Sequence, residues 1–351
     1  MNIDNNLRIS WTFQNWYNTN KRDLPWRNTT NPYIIWLSEI ILQQTRVDQG
    51  HAYFVRFVNQ YPTVTDLANA DEEDILKLWQ GLGYYSRARN LHTAAQTIRD
   101  KYNGAFPSQY KDILSLRGVG EYTAAAIASF AFNLPYAVVD GNVYRVLSRI
   151  FAINEPINST KGKKLFSELA QELLDRQNPG QHNQAIMEFG ALQCTPASPN
   201  CSNCPASSFC LAYANKSVSR HPIKQGKVKI RNRYFNYLDI RQGDLMYLHK
   251  RTGKDIWHNL YELPLIETEE SMNIEELQHA TSFLSMFVNS KVKSIKHAYQ
   301  LKHVLSHQII YTNFYQVEVS DDISGDYIKV KTNDADKYPI SRLVHKYMES
   351  I

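Results

Sequence analysis

Outside one short stretch the sequence contains no cysteine. The only four, Cys194, Cys201, Cys204 and Cys210, fall within residues 194–210 of a 351-residue chain. So sparse a set argues against the disulfide framework of small secreted domains, which spreads many cysteines through a short chain. Long apolar runs are missing as well: no stretch approaches the roughly 18–20 residues that cross a bilayer, so no membrane span is expected. The first residues, MNIDNNLRISWTFQ, lack the basic-then-apolar order of a secretion signal. Internal repeats and low-complexity tracts are absent. A cytoplasmic protein is the expectation, in a reducing compartment where thiolates remain free to hold metal.

A strong excess of one charge is also lacking, since the formal net charge is only +5. Its distribution says more. Residues 1–215 carry 19 Lys/Arg against 18 Asp/Glu, and residues 234–351 carry 13 against 16. The segment between them, KSVSRHPIKQGKVKIRNR (216–233), carries seven basic groups and no acid. That run reads either as a solvated linker or as a phosphate-contacting strip.

What is present is ordinary globular composition, 43% hydrophobic and 21% charged, at a length that favours two domains over one core. The first 215 residues show apolar positions at three- and four-residue spacing, the signature of helices. Pro62 closes one such stretch, Thr65 and Asp71 are read as N-caps, and Gly81–Gly83 as a break. After residue 233 the texture alternates. RYFNYLDIRQGDLMYLHKR reads as a hairpin, HQIIYTNFYQVEV as a strand and EELQHATSFLSMF as helical.

The cysteines are spaced C-x6-C-x2-C-x5-C. Four thiolates so close in sequence match the ligand set of a [4Fe–4S] cluster or of a structural zinc, and spacing does not choose between them. Upstream, Gly118-Val119-Gly120 makes a bare turn before an alanine-rich helix, where backbone N–H groups can meet a phosphate or simply link two helices. Asp140, between an apolar pair and a glycine, is placed to cap a helix. Glu39 lies in IIWLSEIILQQ, and a carboxyl in so apolar a run has its pKa raised by burial unless an arginine such as Arg27 or Arg46 pairs with it. GLGYYSRARN (81–90) sets two aromatics and two arginines at a helix break, suited either to core packing or to a ring wedged between base pairs.

In this order the motifs closely resemble the helix-hairpin-helix DNA glycosylases, and most closely their adenine DNA glycosylase branch. LPWR (24–27), WLSEIILQQTRV (36–47), GLGYYSRARNL (81–91), GVGEYTAAAI (118–127), VDGNVYRVLSR (139–149) and the cysteine spacing carry the likeness. The resemblance implies a mostly α N-terminal region, a six-helix barrel with helix-hairpin-helix plus an iron–sulfur domain, followed by an α+β Nudix-like domain. It implies these bounds: 1–215 catalytic, with about 30–135 the six-helix part and 1–29 with 136–215 the iron–sulfur part; 216–233 a basic linker; 234–351 a recognition domain.

The same resemblance implies roles. Glu39 is the acid that protonates adenine at N7, and Asp140 stabilises or traps the sugar cation, with Tyr122 and Asn142 in support. The two carboxyls are expected to have opposed pKa values. Tyr84 is the ring wedged into the duplex, with Leu82 and Arg87 beside it. Trp26, Arg27, Leu42, Gln43, Gln44, Thr45 and Gln184 surround the extruded adenine and its 8-oxoguanine partner, and Gly118, Val119 and Gly120 meet the DNA. Cys194, Cys201, Cys204 and Cys210 hold a [4Fe–4S] cluster. Glu121-Tyr122 stands where lyase relatives carry a lysine, so base removal without strand cleavage is implied. In the C-terminal part, Ser306 and His307 match a damage-reading loop that usually begins with an aromatic and here begins with Leu305. His258 and Asn259 stand where that family usually has glycines, and the glutamate-rich Nudix box is missing. The implied protein is a monomer that binds duplex DNA containing A:8-oxoguanine or A:G and works at the nucleoid.

Overall fold

The computed structural model describes residues 3–226 and 229–351, so residues 227 and 228 of the basic segment lie outside the described residues. The chain forms two compact units, one of residues 1–69 with 93–226 and the other of residues 70–92 with 227–351.

The first unit is helical. It contains α1 (Ile3–Asn20), a 3-10 turn at Pro25–Arg27, α2 (Pro32–Leu42), α3 (Val47–Gln60) and α4 (Val64–Asn69). After α5 (Glu72–Trp79) of the second unit and α6 (Ser86–Tyr102), which begins there, come α7 (Tyr110–Ser115), α8 (Glu121–Phe132), α9 (Gly141–Ile150), α10 (Thr160–Leu173), α11 (Pro179–Leu192) and α12 (Leu211–Ala214). One core joins α1, α9, α10 and α11 through Phe13, Val146, Phe166 and Phe189, all essentially without solvent contact. The alanines of α8 let α2 pack against it. The turn from α7 to α8 uses Gly118 at φ 77°, a left-handed backbone that favours glycine.

One cap differs from expectation. Thr65 sits inside α4 and caps nothing; Thr63 starts that helix, its hydroxyl donating to the Asp66 carboxylate at 2.6 Å while the Asp66 N–H bonds back to Thr63 Oγ1 at 3.2 Å. The two residues satisfy each other's free groups across the first turn, as a capping pair does. Asp71 holds the cap position of α5 without a side-chain bond. Among the described residues no helix is long and apolar enough to cross a membrane.

The second unit is built on a seven-stranded mixed sheet. Its strands are β1 (Arg231–Gln242), β2 (Leu245–Lys250), β3 (Tyr261–Glu262), β4 (Leu265–Thr268), β5 (Val292–Val304), β6 (Gln308–Val319) and β7 (Ile328–Lys331), with helices α13 (Ile274–His279), α14 (Thr281–Met286) and α15 (Arg342–Met348). β1 and β2 form the hairpin around Gly243, while β1 and β6 run parallel at the centre. Alternation along β1 fills both faces. Phe235 and Tyr237 meet Leu343, Val344 and Tyr347 of α15, whereas Leu238 and Ile240 meet Leu277, Phe283 and Met286 of α13 and α14. Covered on both sides, β1 is buried through most of its length.

Candidate active site

In the first unit Asn31 and Pro32 start α2, the Asn31 side chain accepting the Tyr33 N–H. Glu39 then falls two turns along, on a buried stretch of that helix. Tyr122, one residue into α8, donates its hydroxyl to Glu39 Oε2 at 2.6 Å. Asp140 caps α9, accepting the Val143 N–H at 2.7 Å and the Asn142 amide at 2.7 Å. Arg145 in turn donates to Asn142 Oδ1 at 2.8 Å, and so orients that amide. Gly190 of α11 lies against Asn142, where an added Cβ would come within 2.6 Å of the Asn142 Cβ; only glycine permits this approach.

Trp26, Arg27, Glu39, Leu42, Thr45, Tyr122, Asp140, Asn142 and Gln184 line one cavity of about 210 Å³. That is below the roughly 300–1,000 Å³ of drug-sized ligand sites and suits a small group. Gln43 and Gln44 are not in its lining. Gln43 donates to Thr123 Oγ1 at 3.3 Å, and Gln44 makes the turn after α2 at φ 56°.

The two carboxyls do not shift in opposite directions. Burial pushes Glu39 up to about 7, against the Tyr122 bond, with Asp140 pushing further up and Arg27 pulling down. Asp140 is raised as well, again by burial, but the Val143 N–H and the Asn142 side chain and backbone oppose it. Burial raises both; the helix N-terminus opposes it at Asp140, and the Tyr122 hydroxyl opposes it at Glu39.

Arg27 does not pair with Glu39. It bonds Glu188 of α11 through Nη1 at 2.9 Å and Nη2 at 2.7 Å, and Arg22 bonds the same carboxylate at 2.6 Å. Both Arg22 and Glu188 line the cavity and escaped the reading of the sequence. The signal for Glu188 was available: it is a lone acid in AIMEFGAL, the same pattern that singled out Glu39.

The four cysteines are unbridged and together line a second cavity under α9, with Val146, Ile150 and Phe189. Among the described residues no group of three or more His, Cys, Asp or Glu side chains could hold a single metal ion. Arg149 ties the loop together. Its guanidinium donates to Cys194 Sγ at 3.3 Å, the Thr195 carbonyl at 2.8 Å and the Pro196 carbonyl at 3.1 Å. Burial pushes the Cys201 and Cys210 thiols up, and Cys204 up to about 11, so the donor set for a metal centre is four sulfurs around one cavity, with the Arg149 cation bonded to one of them.

In the second unit the segment between α5 and α6 is held by Gly81 and Gly83 at positive φ, and Tyr84 also adopts the left-handed region at φ 48°. Its ring is 47% exposed and its hydroxyl lies 2.5 Å from Ser306 Oγ, on the exposed turn between β5 and β6 that also carries His307. Leu82 is buried, and Arg87 lies over the Trp79 and Tyr84 rings. Asn259 takes the left-handed region at φ 64°, which asparagine tolerates better than most residues.

Comparisons with known proteins identify the family. Residues 37–174 match the HhH-GPD superfamily base excision DNA repair protein family, and residues 236–350 match the NUDIX domain family. Adenine DNA glycosylase of Buchnera aphidicola subsp. Baizongia pistaciae is 35% identical over 86% of this chain and 84% of its own length. The chain belongs to the adenine DNA glycosylase family. The human adenine DNA glycosylase is 45% identical over 56% of this chain and 38% of its own. A thermostable thymine-DNA glycosylase structure is 32% identical, with TM-score 0.56, over 60% of this chain and 98% of that one. An endonuclease III–DNA complex at 21% identity and TM-score 0.53 shares the fold of the helical region. The protein is thus a DNA glycosylase of base excision repair, with an endonuclease III-like helical fold followed by a Nudix-like sheet domain.

Proposed function

We propose that this adenine DNA glycosylase hydrolyses the N-glycosidic bond of adenine paired with 8-oxoguanine, or with guanine, in duplex DNA. The adenine leaves the stack and enters the cavity of the first unit. Glu39 protonates its N7, which makes the base a better leaving group, and Asp140 faces the positive charge that grows on the sugar. Tyr122 and Asn142 hold these two carboxyls in place, while Arg27, Gln184, Trp26, Leu42 and Thr45 surround the base. The observation that carries this reading is the Glu39 carboxyl, buried in the cavity and raised to about 7, beside an Asp140 steadied by a helix N-terminus.

Tyr84, with Leu82 and Arg87, enters the duplex beside the damaged base, and Ser306 and His307 read it. Gly118–Gly120 meets a backbone phosphate; a Cβ added at Gly120 would touch nothing within 4 Å, which leaves that backbone open to a ligand. Gln43 and Gln44 act from the turn after α2. Among the described residues no lysine lines the cavity, which supports base removal without an amine-driven lyase step. Cys194, Cys201, Cys204 and Cys210 hold a [4Fe–4S] cluster that fastens their loop. The protein acts as a cytoplasmic monomer on nucleoid DNA.

The purified protein should release free adenine from an A:8-oxoguanine duplex and leave an uncut abasic strand. Glu39→Gln should slow release by about 10³-fold, within the range for a lost general acid, with DNA binding retained. Undiminished release, or release of thymine from T:G in place of adenine, overturns the reading.

A further inference from the structure

Three carboxylates line the cavity, Glu39, Asp140 and Glu188, and the chemistry proposed above uses two. Glu188 is the most completely enclosed of them, its side chain at 0% exposure. It accepts five hydrogen bonds, from the Arg22 backbone N–H at 3.0 Å, Arg22 Nε at 2.9 Å and Nη2 at 2.6 Å, and Arg27 Nη1 at 2.9 Å and Nη2 at 2.7 Å. The Arg22 carbonyl takes a further bond from Arg27 Nη1 at 3.2 Å. Burial would raise the Glu188 pKa, but the Arg22 and Arg27 bonds outweigh it and hold the group at about 2. The cluster is thus two cations on one permanent anion.

Its placement matters because Arg27 and Glu39 line the same cavity. An uncompensated guanidinium in a poorly hydrated site favours ionised carboxylates around it, and an ionised Glu39 has no proton to give. The groups acting on Glu39 are Tyr122 from α8, Asp140 at the start of α9 with Arg145 behind it, and Arg27 from the segment after α1; Arg22 of that segment and Glu188 from α11 line the same cavity. Asp48 of α3 acts on Arg22. Glu188 is the charge bonded to Arg27.

We propose that Glu188 is a positioning residue for base release: it fixes the Arg27 guanidinium beside the cavity and cancels its charge, so that Glu39 keeps the proton the departing base needs. This deepens the reading of Glu39 as the acid and rests on it. A purely structural Glu188 would affect folding and the amount of active protein, but would leave the pH dependence of the chemical step where it was.

The test is the single-turnover rate of adenine release from an A:8-oxoguanine duplex across pH, in the full-length protein. In the natural sequence the rate should fall as pH rises through about 7, as Glu39 ionises. Glu188→Gln should move that limb toward acid by about one pH unit, making release about tenfold slower near pH 8 and little changed near pH 5. Glu188→Asp should keep the limb in place. Arg27→Gln, which removes a cation that lowers the Glu39 pKa and leaves Arg22 on Glu188, should move the limb toward alkali, and it decides the matter if Glu188→Gln does not fold. A limb that stays put in folded Glu188→Gln, or that moves toward acid in Arg27→Gln, overturns the role of Glu188. Full activity in Glu39→Gln instead overturns the reading beneath it.

Discussion

Each unit buries a tyrosine–glutamate pair, and the two pairs differ in one partner. In the helical unit Tyr122 donates to Glu39 at 2.6 Å, and among the described residues the neighbouring Arg27 bonds Glu188 and not that carboxyl. In the sheet unit Tyr237 donates to Glu262 at 2.7 Å, and Arg251 Nη1 also reaches both oxygens of Glu262 at 2.8 Å. Around Glu262 the pairing continues, with Arg251 on Asp255 and Arg233 held by Asp255 and Glu267. Burial alone therefore does not make an acid. A buried carboxyl keeps a raised pKa where the cation is kept off it, and becomes part of the frame where the cation is bonded to it. The helical unit even contains both cases within one cavity, since Arg27 is bonded to Glu188 and leaves Glu39 to its tyrosine.

The largest effect should come from breaking the frame pair. Arg251→Met leaves the Glu262 carboxylate buried without its cation and should destabilise the protein by about 3–5 kcal/mol, the cost of an orphaned buried charge. Adding Glu262→Gln should recover most of that loss. Chemical denaturation checks both, and a single variant as stable as the parent would erase the contrast.

Glu39→Gln should do the opposite. The folded-state pKa of about 7 stands above the ordinary 4.5, so the folded protein binds the proton more tightly than the unfolded chain does. Stability is then full at low pH and declines as pH rises from about 4.5 to 7, and the penalty persists above that. Removing the ionisable group should stabilise the protein by about 3 kcal/mol near pH 8 and by almost nothing near pH 4. Melting curves at the two pH values read this directly; equal shifts at both would show that Glu39 is not strained by its burial.

The smallest effect belongs to the exposed contact of the sheet unit. Ser306→Ala removes the 2.5 Å contact with the Tyr84 hydroxyl at a solvent-facing position. It should leave stability unchanged and reduce the preference for 8-oxoguanine over guanine by about tenfold, roughly the worth of one hydrogen bond. Unaltered preference would remove Ser306 from damage reading.

Much of this was legible in the residues. The change from three-and-four spacing to alternation near residue 233 marked where helices give way to the sheet, because one period fills one face of a helix and the other fills faces of a strand. Asp140 before a glycine announced its cap, and Glu39 in an apolar run announced its burial. Other features were not legible. Thr65 looked like a cap, but the Thr63–Asp66 exchange three residues apart satisfies the helix start better. The alternative that an arginine such as Arg27 pairs with Glu39 does not hold for Arg27, for a tertiary reason: α11 brings Glu188 to the same guanidinium, from more than 160 positions away in sequence.

The sequence by itself determined the elements and the chemical inventory, since periodicity, capping residues and the clustered cysteines are local properties of the chain. It also carried enough of the family motifs to point to DNA base excision. Only the tertiary structure decided which carboxyl the arginines bond. Arg22 and Arg27 close on Glu188, while Glu39 takes the Tyr122 hydroxyl, and electrostatics in a dry cavity follows distance through space, which helix packing sets.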